Sequence, residues 1–268
     1  MLHGIAAGVR NPGDRARPRE QARVAAERAV TLAPDLGEAH AALASIRAYA
    51  LFDYVGAAPE FERALALSPG NARVQKAFAW YAADLGHFGS AISAARRGVS
   101  LDPQNPVSHA VLGVILTYAR RYSEALAAFH DFRVLSPGSH AIGGNRAQTL
   151  LASGQIEQAM RECKSPTTPM DEDDRHQCLA LAYHVLGRQS DAENELAKFR
   201  ALDGDSAAYS YAGIYSQWGN AAVALQWLTK AENLRDPLLW LLQVDWQLDP
   251  IRNEAQFKAI LARMNFPP

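Results

Sequence analysis

Cysteine is scarce in this chain: only Cys163 and Cys178 occur among its 268 residues. Two thiols set up no disulfide framework, and the reducing cytoplasm is the default compartment. Charge of one sign is scarce as well. The 27 basic and 28 acidic residues nearly cancel, to −1, leaving no general drive toward nucleic acid or anionic lipid. No apolar run approaches 18 residues, so no membrane span is expected. Catalytic signatures are missing too: there is no glycine-rich phosphate loop, no HExxH, no GxSxG and no kinase-like sequence. Neither an enzyme nor a bound cofactor is expected. The opening "MLHGIAAGVRNPGDRARPRE" lacks the basic-then-apolar order of a secretory signal and reads as a partly ordered lead-in over 1–19.

What the chain has is apolar content, 49%, and a period. Pro34, Pro69, Pro103 and Pro137 fall 35, 34 and 34 residues apart. Small or aromatic residues recur ahead of each: Ala57, Phe61 and Ala64; Ala91, Ala95 and Gly98; Ala125, Phe129 and Phe132. Gly86–Ala91, Gly154–Ala159, Gly187–Ala192 and Gly219–Ala224 repeat one glycine-then-alanine offset. A period of this length predicts a solenoid of stacked supersecondary units. Within 106–137, Val107, Val111, Leu112, Ile115 and Tyr118 recur at helical spacing, and so do Leu126, Phe129, Phe132 and Leu135. Each unit is therefore a helix–turn–helix. Small residues let the paired helices approach, aromatics fill the space between units, and glycine turns the hairpin.

These residues carry a resemblance. The small pair, alanine, aromatic and terminal proline of 106–139 (Leu112, Gly113, Tyr122, Ala125, Phe129, Pro137) resemble the tetratricopeptide repeat, with Arg120 in place of the hairpin glycine and Phe132 in place of a small residue. The resemblance covers about four fifths of the chain. It implies an all-α fold, a right-handed alpha-alpha superhelix, with an array over 20–236. That array comprises a partial unit at 20–37 and units near 38–71, 72–105, 106–139, 140–170, 173–204 and 205–236. The period breaks after Ala231. The segment 237–268 reads as a cap, with Leu239, Leu242, Phe257 and Ile260 covering the last apolar face. Its "DP…F…L…P" pattern looks like the ends of repeat regions in bacterial transcriptional-activator, adenylate-cyclase and kinase chains.

The resemblance also implies a function. First helices of such arrays line a concave groove that holds a protein or peptide segment, so the expectation is a non-enzymatic protein-binding scaffold, cytoplasmic and monomeric rather than dimeric. A regulatory or oligomerisation region of a bacterial signalling or transcription protein is the alternative, and an enzyme on an alpha-solenoid stands third. Groove positions transfer to Arg73, Lys76, Trp80, Asp84, Tyr118, Gln148, Gln177, His184 and Tyr209. Trp80 offers a large rigid contact, and Arg73 and Lys76 offer charge to a carboxylate. Lys76 would begin a carboxylate clamp, but Ala110, Val111, Gly144 and Asn145 supply no matching set. The cluster Cys163, His176, Cys178 and His184 has zinc-ligand chemistry but not zinc-ligand spacing, and buried apolar cysteines account for both thiols. "MDEDD" (170–174) reads as a helix start whose acids oppose the dipole and cap donors, and "SPTTP" (165–169) as a local irregularity.

Overall fold

The structure is a computed structural model that describes residues 16–267. Of the lead-in expected over 1–19, residues 1–15 therefore lie outside the described part. From Ala16 onward the chain is helical, with no strand among the described residues. A first helix, α1 (Ala16–Leu32), precedes six antiparallel pairs. These are α2 (Gly37–Leu51) with α3 (Tyr54–Leu67), α4 (Ala72–Asp84) with α5 (Phe88–Leu101), and α6 (Pro106–Tyr118) with α7 (Tyr122–Leu135). The series continues with α8 (Gly143–Ala152) and α9 (Ile156–Lys164), α10 (Glu172–Val185) and α11 (Gln189–Asp203), then α12 (Ala208–Gln217) and α13 (Ala221–Leu234). Two 3₁₀ turns, Pro237–Leu241 and Trp246–Ile251, lead to α14 (Ala255–Arg263). The first helix of each pair packs on the first helix of the next, giving an all-α superhelix with one face lined by α2, α4, α6, α8, α10 and α12.

Local chemistry explains the boundaries. Asn71 and Asn105 occupy the same place in successive units, and each side chain accepts a hydrogen bond from the first-turn backbone of the helix it precedes. Pro106, lacking an N–H to leave orphaned, follows at the first turn of α6. Gly86, Gly154, Gly187 and Gly219 turn their hairpins at φ between 71° and 75°. Arg120 holds the equivalent place at φ 60°, a backbone that costs a side-chain-bearing residue about 1 kcal/mol. Inside each pair the spacing is fixed by small residues. A Cβ placed on Gly113 would lie 2.5 Å from the Phe129 ring, which is fully buried against it.

The two cysteines correct the sequence reading. Cys163 on α9 and Cys178 on α10 are both fully buried, as expected of apolar cysteines, but they are joined in a disulfide with Cα atoms 6.4 Å apart. The superhelix brings together the ends of two helices separated by the 165–171 turn. Arg175 fixes that turn, donating to the carbonyls of Cys163, Ser165 and Thr168. The acids of "MDEDD" do fall in the first turn of α10, yet Asp171 makes no capping hydrogen bond. Asp174 instead lies against Gly144, where no larger residue would fit. His176 pairs with Glu195 on α11 at 2.6 Å.

Candidate functional site

The lined face is not empty. After α13 the chain turns at Arg235, in the left-handed region, and Asp236 anchors the exit: one carboxylate oxygen accepts from Leu238 N–H and the other from Tyr209 N–H at the start of α12. Leu239, Leu242, Phe257 and Ile260 then bury against Ala208, Ala224, Leu228 and Ala231 of the last pair. Between them, residues 237–252 run along the concave side.

Trp240 is the segment's largest side chain facing the first helices of the early pairs. Its ring is 7% exposed and meets Tyr49 on α2 edge-on at 6.0 Å, Trp80 on α4 at 6.1 Å and Tyr118 on α6 at 6.5 Å. Three consecutive first helices thus build one aromatic box around one indole. Offset and edge-on ring pairs of this kind each add about 0.5–1.5 kcal/mol beyond the area they bury. Beneath the box lies Asp84, fully buried, accepting from the Tyr49 hydroxyl at 2.8 Å. Burial pushes the Asp84 carboxyl well above the usual carboxylate range, and the tyrosine hydrogen bond only partly opposes that. Its other oxygen and the hydroxyl of nearby Tyr54 have no hydrogen-bond partner among the described residues.

Further along the groove, amides replace aromatics. Gln247 donates to Gln148 on α8 at 3.2 Å and accepts from Gln177 on α10 at 3.3 Å, while its side chain rests on Gly213 of α12. Gln217 of α12 donates to the carbonyls of Trp246 (3.1 Å) and Gln247 (2.9 Å). These are contacts to backbone and to a primary amide, the vocabulary of polypeptide recognition. A polar-edged cavity of about 110 Å³ remains between Thr117, Asn145 and Gln148 on one side and Asp245 and Trp246 on the other.

Arginines hold the segment's shape. Arg252 donates to the carbonyls of Leu242 (2.9 Å) and Asp245 (2.7 Å) and pairs with Asp249. Arg120, at the α6–α7 hairpin, makes two 3.0 Å contacts to the same Asp249 carboxylate. Asp245 caps the second 3₁₀ turn through Gln247 N–H. Its carboxyl is raised by burial, against the opposing pull of that hydrogen bond and of Arg252 and Arg120.

The residues singled out from sequence separate into three groups. Trp80, Tyr118, Gln148 and Gln177 touch the 237–252 segment directly; Asp84 and Tyr209 lie buried just beneath or beside it, Tyr209 facing Asp245. Arg73 is exposed at the start of α4, and Lys76 lays its stem on Gly98 of α5. His184 sits elsewhere. It stacks on Trp218 at 5.4 Å in a separate cleft of about 670 Å³ between α11 and the α12–α13 hairpin, with Arg200 and Glu193 on its walls. Sequence reasoning missed Tyr49, Arg120, Gln247 and Arg252 as groove components. The register of Tyr49, 35 residues before Asp84, was available to reveal it.

Among the described residues no helix is long and apolar enough to cross a membrane, and no group of three or more His, Cys, Asp or Glu is placed to hold a metal ion. No protein-family model matches the chain. The TPR repeat-containing thioredoxin TTL4 of Arabidopsis thaliana is 36% identical over 85 residues, which is 31% of this chain and 12% of that protein's length. Among solved structures, the Cut9–Hcn1 hetero-tetramer of APC/C superposes with a TM-score of 0.60 at 15% identity, over 92% of this chain and 46% of that one. PilW, a type IV pilus biogenesis factor, gives 0.56 at 17% identity over 84% and 98%. PilF of Pseudomonas aeruginosa gives 0.54 at 19% over 69% and 84%. At these identities the structural likeness speaks to the fold.

Proposed function

We propose that the chain, whose fold is that of tetratricopeptide-repeat solenoids, is a non-enzymatic scaffold whose concave face holds an extended segment of another protein. One observation carries the reading: that face already holds a polypeptide, residues 237–252. It does so through the contacts a recognition groove uses, an aromatic box and amides directed at backbone carbonyls. Trp80, Tyr118, Gln148 and Gln177 are the contacting residues, and Arg73 and Lys76 border them. A photo-crosslinking residue placed at Arg73 or Lys76 in the full chain tests this in the source cells. The expected result is a discrete protein adduct that disappears when Trp80 is changed to Ala. Adducts formed equally well from Arg97 on the outer helix α5, and indifferent to Trp80, would contradict it.

The Cys163–Cys178 disulfide bears on location. Buried disulfides persist where the surroundings are oxidising, so we place the working protein in such a compartment rather than in the reducing cytoplasm that two cysteines alone suggest. Quenching source cells in acid and alkylating the denatured chain checks this: neither cysteine should label without prior reduction. Stoichiometric labelling of both would return the chain to the cytoplasm.

A further inference from the structure

If the concave face is a recognition groove, its present occupant says what it recognises. We infer that residues 237–252 are an intramolecular stand-in for the partner. The incoming segment then carries a bulky aromatic residue and, seven positions later, an amide side chain, and it binds only as the chain's own copy leaves. This rests on the groove reading above and deepens it.

Three features set the segment apart from a permanent core element. Its backbone is two short 3₁₀ turns joined by irregular chain, so its own hydrogen bonds are all short-range and it forms no helix of the repeat. Leu239, Leu242, Leu248 and Ile251 bury in the core of the last pair. Beyond that pair, its hold on the groove is Trp240 and a set of polar, reversible contacts: the Gln148–Gln247–Gln177 ladder and the half-exposed Arg120–Asp249 ion pair. Exposed or partly exposed pairs of that kind contribute little. Its fit is also incomplete. It leaves the 110 Å³ cavity, and the Asp84 carboxyl and the Tyr54 hydroxyl keep unpartnered atoms in or beside the groove. A core element selected only for stability would satisfy such groups, because each buried orphan is costly. A ligand supplying one donor toward Asp84 would gain over the resident segment.

The anchoring geometry fixes the motif. Trp240 reaches the α2–α4–α6 box, and Gln247 reaches the α8–α10–α12 amides. The box takes any large flat ring, and the amide site as occupied pairs Gln148 and Gln177 with the donor and the acceptor of one side-chain amide, which Gln or Asn matches. Tethering makes the resident segment a strong competitor. With an effective concentration on the order of 1 mM and an intrinsic Kd on the order of 10 µM, an external segment binds roughly 100-fold more weakly than it would to an open groove.

The test uses a fluorescent synthetic peptide spanning residues 237–252, titrated by anisotropy into the full chain, with Asp249→Ala and Trp240→Ala chains alongside. Asp249→Ala removes only an exposed partner of Arg120 and Arg252, so it preserves the fold even if Trp240→Ala does not. Peptide affinity should rise about two- to five-fold from wild type to Asp249→Ala, as a partly exposed ion pair allows, and at least ten-fold with Trp240→Ala. It should fall at least ten-fold when the peptide carries Trp240→Ala or Gln247→Ala. Equal or absent binding to wild-type and loosened chains with unchanged melting would overturn the inference. So would a shift of the Asp249→Ala chain to a dimer by light scattering, which would make the occupant a second copy. A Trp80-dependent crosslinked partner that the peptide fails to displace would sink this inference alone; loss of the crosslink as well would sink the groove reading with it.

Discussion

Reducing the Cys163–Cys178 bond perturbs the fold at one defined place. The bond joins residues 15 apart in sequence and crosses the α9–α10 junction. Closing a loop of that length restricts the unfolded chain by about 3 kcal/mol, a contribution that persists whatever else holds the native turn. Both sulfurs are fully buried, so reduction keeps their packing and removes only the covalent restraint. The native turn has its own support in Arg175 and its three carbonyls, so it should keep its shape when reduced. Urea denaturation with and without reductant, followed by far-UV dichroism, should show stability lowered by about 2–3 kcal/mol. Because repeat units couple mainly to their neighbours, amide exchange should quicken chiefly in α9, α10 and the intervening turn rather than in α2–α5. A Cys163→Ala/Cys178→Ala chain should respond to reductant not at all. A reductant effect below about 0.5 kcal/mol, or one spread evenly along the array, would refute the reasoning.

Other expectations follow from single contacts. Gly113→Ala forces its methyl onto the Phe129 ring and should destabilise by about 1–3 kcal/mol, seen as an earlier thermal midpoint. Burial, reinforced by Asp173, Asp171 and Asp203, raises the Asp174 carboxyl to about 7. The folded chain therefore holds a proton that the unfolded chain has lost between about pH 4 and pH 7, so stability should fall as pH rises through that window and level off above it. Asp174→Asn should flatten the slope and stabilise the protein at pH 8 by at most about 4 kcal/mol, measured by urea midpoints across pH. Trp240→Ala should cost less than the 3–5 kcal/mol usual for a buried tryptophan in global stability, because the array can remain folded when the segment leaves. A full loss in the solenoid's main unfolding transition would contradict that.

The periodic part of this fold was legible, and for a physical reason. Pro69, Pro103 and Pro137, the hairpin glycines and the Ala125–Phe129 spacing are local signals, each acting within one unit. Even the substitution at Arg120 was readable, since it takes up the left-handed backbone that glycine supplies elsewhere. First-helix positions such as Trp80, Tyr118, Gln148 and Gln177 follow from the same register. The features that escaped depend on how units curve relative to one another. The Cys163–Cys178 bond joins two helices whose ends meet only after the 165–171 turn is folded. Trp240 meets Trp80 only because the superhelix wraps its first helices around a returning chain, and no period in the sequence encodes that meeting. His184 shows the reverse failure: it holds a first-helix position but lies so near the hairpin that it stacks on Trp218 outside the groove.

The central claim is that a folded array holds residues 237–252 as a removable occupant. Native-state hydrogen exchange on the full chain reads this most directly, because Leu239, Leu242, Val244 and Asp245 N–H groups are hydrogen-bonded in single turns too short to persist once the segment leaves the groove. Those amides should exchange at least ten-fold faster than Ile115 and Leu116 in α6, with little dependence on low urea, the mark of local rather than global opening. Exchange of the two sets at one common rate, with the same urea dependence, would make the segment an inseparable part of the core and contradict the account.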